Sequence, residues 1–276
     1  MSKKPYQPAQ QPLKSTMKIE TTIDYIAALR PQFKDEIRGC SAEDISRLEQ
    51  IFGRPVPPVY RSFLSYMGHD IGGIKAFYAG CFICQNVDFS WKRVLQLEKK
   101  AKQRLPPRFT LIGETREDPF ESICLDEESS LHEPRVLRCT GGRDPGSAKQ
   151  LLQGGGFEVA LSLPEMLFAA AFLSFAFARH RVSVEMSQPE RQPDGLRAAD
   201  KLMRRMDFEQ HPASSGWTHF YTRADAVALV YQNTKHPLQI EMRAQRLHDA
   251  RRWSAILVDH LGILGSSIRE LGSHEA

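Results

Sequence analysis

Hydrophobic residues recur at helical spacing through much of this chain, and short apolar or alternating runs separate those stretches. Ile45, Leu48, Ile51 and Phe52 form one stripe, leaving Glu43, Arg47 and Gln50 toward water. Ser41 with Asp44 three positions on has the spacing of a capping box at its start. Gly53 suits a left-handed helix end. Pro55, Pro57 and Pro58 then force a corner, because each fixes its own φ and lacks a backbone donor. Pro57 or Pro58 fits the first turn of a second helix, striped by Tyr60, Phe63, Leu64 and Met67 and ended by Gly68.

Before this helical pair, residues 1–19 are rich in Pro, Gln and Lys and read as a flexible tail, followed by a short helix over Thr22–Leu29. After it, Gly72 and Gly73 mark a turn, and Ile74–Cys84 reads as one or two strands. A basic helix over Trp91–Arg104 ends at Pro106 and Pro107. Strands follow at Phe109–Gly113, Ser122–Leu125 and Arg135–Cys139, and then a loop, Gly141–Gly156, with six glycines.

Leu163–Ala178 is a different kind of helix, apolar around its whole circumference from Met166 except at Ser174. It falls short of the about 20 residues a membrane span needs, so it must be covered by protein on every side. Only the C-terminal third is available for that. Val182, Val184 and Met186 alternate as a strand; Leu196, Ala199, Met203 and Met206 stripe a helix. Trp217–Thr222, Ala226–Gln232 and Leu238–Met242 read as strands, and Trp253, Ile256, Leu257, His260 and Leu261 stripe a last helix. The order β-α-β-β-β-α predicts a smaller α+β unit with both helices on one face of a sheet. Residues 1–19, 20–181 and 182–276 are thus expected to be a tail and two domains.

The helical pair resembles the signature of the SUKH superfamily, α+β domains of fungal cell-wall-synthesis regulators and of bacterial immunity proteins that neutralise toxins. The residues that carry the resemblance are Leu48, Glu49, Gly53, Val56, Pro57, Tyr60, Phe63, Leu64 and Gly68. Val56 stands where Leu is usual, and Met67 where Asn precedes the glycine. The resemblance spans about residues 20–180 and implies an antiparallel sheet with flanking helices. Every motif residue has a structural role, so it also implies protein binding rather than catalysis.

Composition changes this picture little. With 41% hydrophobic and 25% charged residues and a net charge of +4, the chain is an ordinary globular protein. No apolar run follows the early lysines and the five cysteines have no framework spacing, which predicts a reducing, cytoplasmic setting and no membrane.

Candidate chemistry is sparse. Cys81-Phe82-Ile83-Cys84 is a CxxC, but a zinc site needs further soft ligands, and Cys124 and Cys139 lie on separate predicted strands. Nor does the pair open a helix, as a redox pair does. The cysteines therefore read as core residues, the scattered histidines as single side chains, and no metal, cofactor or catalytic set is expected. His69-Asp70 lies in a loop that reads as polar and exposed.

Charge is unevenly placed. Trp91–Arg108 holds seven Lys or Arg against one Glu, and Glu114–Glu133 holds eight Asp or Glu against one Arg. The acidic residues Glu114, Glu117, Asp118, Glu121, Asp126, Glu127 and Glu128, with Trp91, are the candidate partner-binding set. They suit a basic protein such as a nuclease toxin. Without an aromatic ladder beyond Trp91, the basic helix does not point to nucleic acid. The expected function is that of a non-enzymatic binding protein, an immunity protein that occludes a cognate toxin. The alternatives are a regulatory scaffold or adaptor unrelated to toxins, and a zinc- or thiol-dependent enzyme built on Cys81 and Cys84.

Overall fold

Helix α1 (Ile19–Leu29) buries Ile19, Ile23 and Ile26 along one face. The computed structural model describes residues 17–74, 81–83, 95–96, 98–99, 107–115, 122–128, 133–139, 157–233 and 235–271. Ile19 is 1% exposed, so the packed chain starts where the sequence pattern still reads as tail; the tail up to residue 16 lies outside the described residues. A short helix α2 (Phe33–Glu36) and strand β1 (Ile37–Arg38) follow.

The helical hairpin forms as its local chemistry dictates. In α3 (Ala42–Phe52) the Ser41 hydroxyl accepts from the Asp44 N–H and the Asp44 carboxylate from the Ser41 N–H, completing the capping box. Gly53 ends the helix at φ 69°, where any side chain would be strained. Glu49 spans the corner: its carboxylate accepts from the Val56 N–H at 2.9 Å and pairs with Arg61. Pro58 occupies the first position of α4 (Pro58–Met67), where a missing donor is harmless. Tyr60, Phe63, Leu64 and Met67 are all buried, so Met67 fills core where the superfamily pattern has Asn.

Gly68 closes α4 at φ −65°, so glycine is not needed there for its dihedral freedom. It is needed for space. A Cβ at Gly68 would sit 2.2 Å from Cys40 Sγ and 2.7 Å from the Leu64 carbonyl oxygen. Strand β2 (Asp70–Ile71) then pairs antiparallel with β1, Arg38 opposite Asp70 and Ile37 opposite Ile71.

A five-stranded antiparallel sheet runs in chain order: β3 (Cys81–Ile83), β4 (Phe109–Thr115), β5 (Ser122–Asp126), β6 (Arg135–Cys139) and β7 (Phe157–Ala160). β4 outruns its predicted end and takes Glu114 into the strand, opposite Ser122 and Phe82. β7 is an addition to the predicted elements; its four residues are too few to show a period. Of the basic helix, residues 95, 96, 98 and 99 are described and helical. The glycine-rich stretch 141–156 lies outside the described residues.

Helix α5 (Leu163–Ala171) is buried at every position, and the chain continues through a π turn (Phe172–Ala176) and a 3-10 turn (Phe177–Arg179). The C-terminal sheet is six-stranded and antiparallel throughout. It contains β8 (Val182–Ser187), β9 (Glu209–Gln210), β10 (Thr218–Arg223), β11 (Ala226–Tyr231), β12 (Gln239–Ala244) and β13 (Ser266–Glu270), in the spatial order β13-β8-β12-β11-β10-β9. The predicted β-α-β-β-β-α order is present with two edge strands added, β9 and β13. Neither edge strand buries a residue, which is why neither has a hydrophobic signature.

Helices α6 (Gly195–Arg205) and α7 (Leu247–Leu261) share a core with one face of that sheet, among them Ala226, Ala228 and Val230 of β11. The opposite face, through Phe220, Val227, Leu229 and Tyr231, joins the core made by α1, α3, α4, α5 and the five-stranded sheet. This explains why Ala226–Tyr231 is apolar at every position rather than alternating: both faces of β11 are covered. The fold is α+β.

Candidate partner-binding surface

The structure brings Asp126, Glu127 and Glu128 together at the end of β5, but not as a bare acidic patch. Asp126 is 6% exposed and lies 3.9 Å from Arg108 and 3.8 Å from Arg135. Glu127 pairs with Arg54 and accepts from Thr110 Oγ1 at 2.8 Å. Arg54 also donates to the Phe109 carbonyl and to Thr110 Oγ1, both at 2.9 Å, tying the corner after α3 to β4. Glu128 has the most open carboxylate of the three, 68% exposed and 3.3 Å from Arg108. Arg135 pairs onward with Glu158 of β7. The result is a lattice of alternating charge, in which arginines from outside the acidic run offset it.

Glu114 stands apart from this group. It pairs with Ser122 at one end of the β4–β5 ladder, while Asp126 pairs with Phe109 at the other. At the rise of an extended strand, the length of β5 separates the two ends by about 13 Å. Trp91, Glu117, Asp118 and Glu121 lie outside the described residues, as does Cys84. Cys81 lies within β3, opposite Thr115, not at a helix N-terminus.

Two constellations were not visible in the sequence. The first is Glu165, 2% exposed at the first turn of α5. Its carboxylate accepts from Ser215 Oγ at 2.6 Å, Thr218 Oγ1 at 2.8 Å and the Leu161 N–H at 3.0 Å. Burial holds its pKa above the usual carboxylate range, and the three donors oppose that shift only in part. The Ser162–Glu165 spacing matches a capping box and was the available signal, but it does not reveal that the hydroxyl donors come from the distant Ser215 and Thr218. The second is Cys40, Asp44 and His69, whose ligand atoms all lie within 4.8 Å of one another. Cys40 precedes the motif's first helix and His69 follows its last glycine, so hairpin closure itself is what joins them.

A capped helix, a proline corner built on a Leu-Glu pair and an antiparallel sheet behind it define a SUKH-type α+β domain. The comparison of families agrees: residues 39–168 match the SMI1 / KNR4 family (SUKH-1), and the chain carries a SUKH domain there. The match starts beside Cys40 and stops inside α5. No curated protein matches the chain. Among the described residues, no helix is long and apolar enough to cross a membrane.

Proposed function

We propose that this chain is a non-enzymatic, cytoplasmic binding protein that neutralises a cognate toxin by covering its active surface. The observation that carries this reading is the SUKH-1 match over residues 39–168, a family of protein-binding domains. The charge lattice refines how such binding works. Asp126 and Glu127 are already paired within the chain, so long-range attraction by this surface is weaker than the run of acidic residues suggests. Glu128, with the acidic residues of 114–121, supplies the steering, which raises association rate more than affinity.

The test is to express the products of the genes flanking this one, each with and without the chain. A toxic neighbour whose killing is suppressed, and which forms a stoichiometric complex with the chain, supports the proposal. Charge reversal at Glu114, Glu117, Asp118 and Glu121 then slows association at low salt, and added salt shrinks the difference. Flanking products that are harmless and unbound overturn it. A regulatory scaffold without a toxin is the second reading. It is favoured by the C-terminal half, which lies outside the family match yet shares a core with it.

A further inference from the structure

The two ends of the helical hairpin converge on three side chains of different chemistry: the Cys40 thiol, the Asp44 carboxylate and the His69 imidazole. We propose that they form a zinc-class transition-metal site with three protein ligands and a fourth, solvent-facing position filled by water. Thiolate, imidazole and carboxylate together favour Zn2+ over the hard cations, which prefer all-oxygen sites.

The geometry supports this. Bonds of about 2.0 to 2.3 Å at tetrahedral angles place ligand atoms about 3.3 to 3.6 Å apart. His69 Nε2 already lies 3.2 Å from Asp44 Oδ2. Every donor falls within 4.8 Å of the others, so closing the site takes only a side-chain adjustment. The capping box does not compete for all of Asp44. Ser41 N, Ser41 Oγ and His69 all engage Oδ2, and the carboxylate offers a second oxygen.

The backbone holds the ligands in place. Cys40 N–H donates to the Leu64 carbonyl at 2.8 Å, and His69 N–H to the Arg38 carbonyl at 2.8 Å. The β1–β2 ladder adjoins both residues. Gly68 is the counterpart of this arrangement, since a Cβ there would meet Cys40 Sγ at 2.2 Å. The side chains of His69 and Asp44 are 32% and 36% exposed, which gives a metal and its water a route in.

The test is titration of the reduced full-length chain with Co2+, followed by Zn2+. The expected result is one Co2+ per chain with tetrahedral d–d bands and a thiolate-to-cobalt charge-transfer band, both erased by Zn2+. Cys40→Ser removes the charge-transfer band. His69→Gln weakens binding by more than the about 10- to 100-fold that loss of an outer-shell partner costs. Cys81→Ser/Cys84→Ser leaves both bands unchanged. Zn2+ also raises the melting temperature of the wild type but not of His69→Gln, whose partly exposed position lets the variant fold. A wild-type chain without tetrahedral bands overturns the proposal, as do bands that survive Cys40→Ser and His69→Gln or vanish with the Cys81/Cys84 pair.

Discussion

The two large sheets are covered in different ways. The C-terminal sheet is sandwiched between α6 and α7 on one face and α5 on the other, and its central strand β11 is buried at every position. The five-stranded sheet places Asp126, Arg135 and Glu158 on neighbouring strands and links them by ion pairs. One sheet is a buried layer and the other presents a charged rim. Stability is therefore expected to concentrate in α5 and the sheet behind it, and adaptable surface at the β4–β7 end.

Removing the C-terminal sheet is the strongest way to break the comparison. A chain ending at Arg181 loses Phe220, Val227, Leu229 and Tyr231, which cover α5, and is expected to aggregate and bind hydrophobic dye. A soluble monomer of residues 1–181 without dye binding would show that the two sheets do not depend on each other. Next in size is Phe168→Ala. The ring is fully buried, with centroids 4.7 Å from Tyr25, 4.8 Å from Phe220 and 4.9 Å from His211. The expected loss is about 4 kcal/mol by denaturant unfolding, in one transition reported alike by Trp253 fluorescence and circular dichroism.

Glu165→Ala should cost about 3 kcal/mol, because it leaves two hydroxyls and the Leu161 N–H without their acceptor. Arg54→Ala acts on the charged rim and should cost about 2 kcal/mol, less than either change in the shared core. An Arg54 effect equal to that of Phe168 would erase the distinction between rim and buried layer.

The smallest effect is on pH dependence. His180, His211 and His219 are all held below the ordinary imidazole range, mainly by burial. A depressed folded pKa contributes stability above the unfolded value, about 6.5, and that contribution is lost as pH falls through the folded values. Melting temperature should therefore drop as pH falls from about 7.5 to about 5.5, and His211→Gln should flatten that slope. A melting temperature that rises on the same acidification would place these histidines outside the core.

The features legible in the sequence are the local ones. The capping box at Ser41, the Gly53 end, the Pro57–Pro58 start and the stripe through Met67 use contacts within a few residues, and each is present. Helix α5 was legible for another reason: apolarity on all sides demands cover on all sides, whatever supplies it. The strands β9 and β13 left no trace because edge pairing uses backbone groups and no hydrophobic period. The acidic run was legible as composition only. Its offsetting partners Arg54, Arg108 and Arg135 come from three other places in the chain, and pairing across a sheet has no linear signature. Cys40 and His69 meet only because a two-residue ladder and a close-packed glycine bring them there.

The π turn at Phe172–Ala176 has an evolutionary corollary. The family match stops at residue 168, one turn before the helix widens. A π turn accommodates one residue more than the α-helix and rotates the succeeding side chains by about 100°. The same helix can thus show one set of side chains to the ancestral domain and another to the added sheet. The unit that is inherited is then not the unit that folds: a transfer ending at the family boundary would carry half a helix and leave its other half behind.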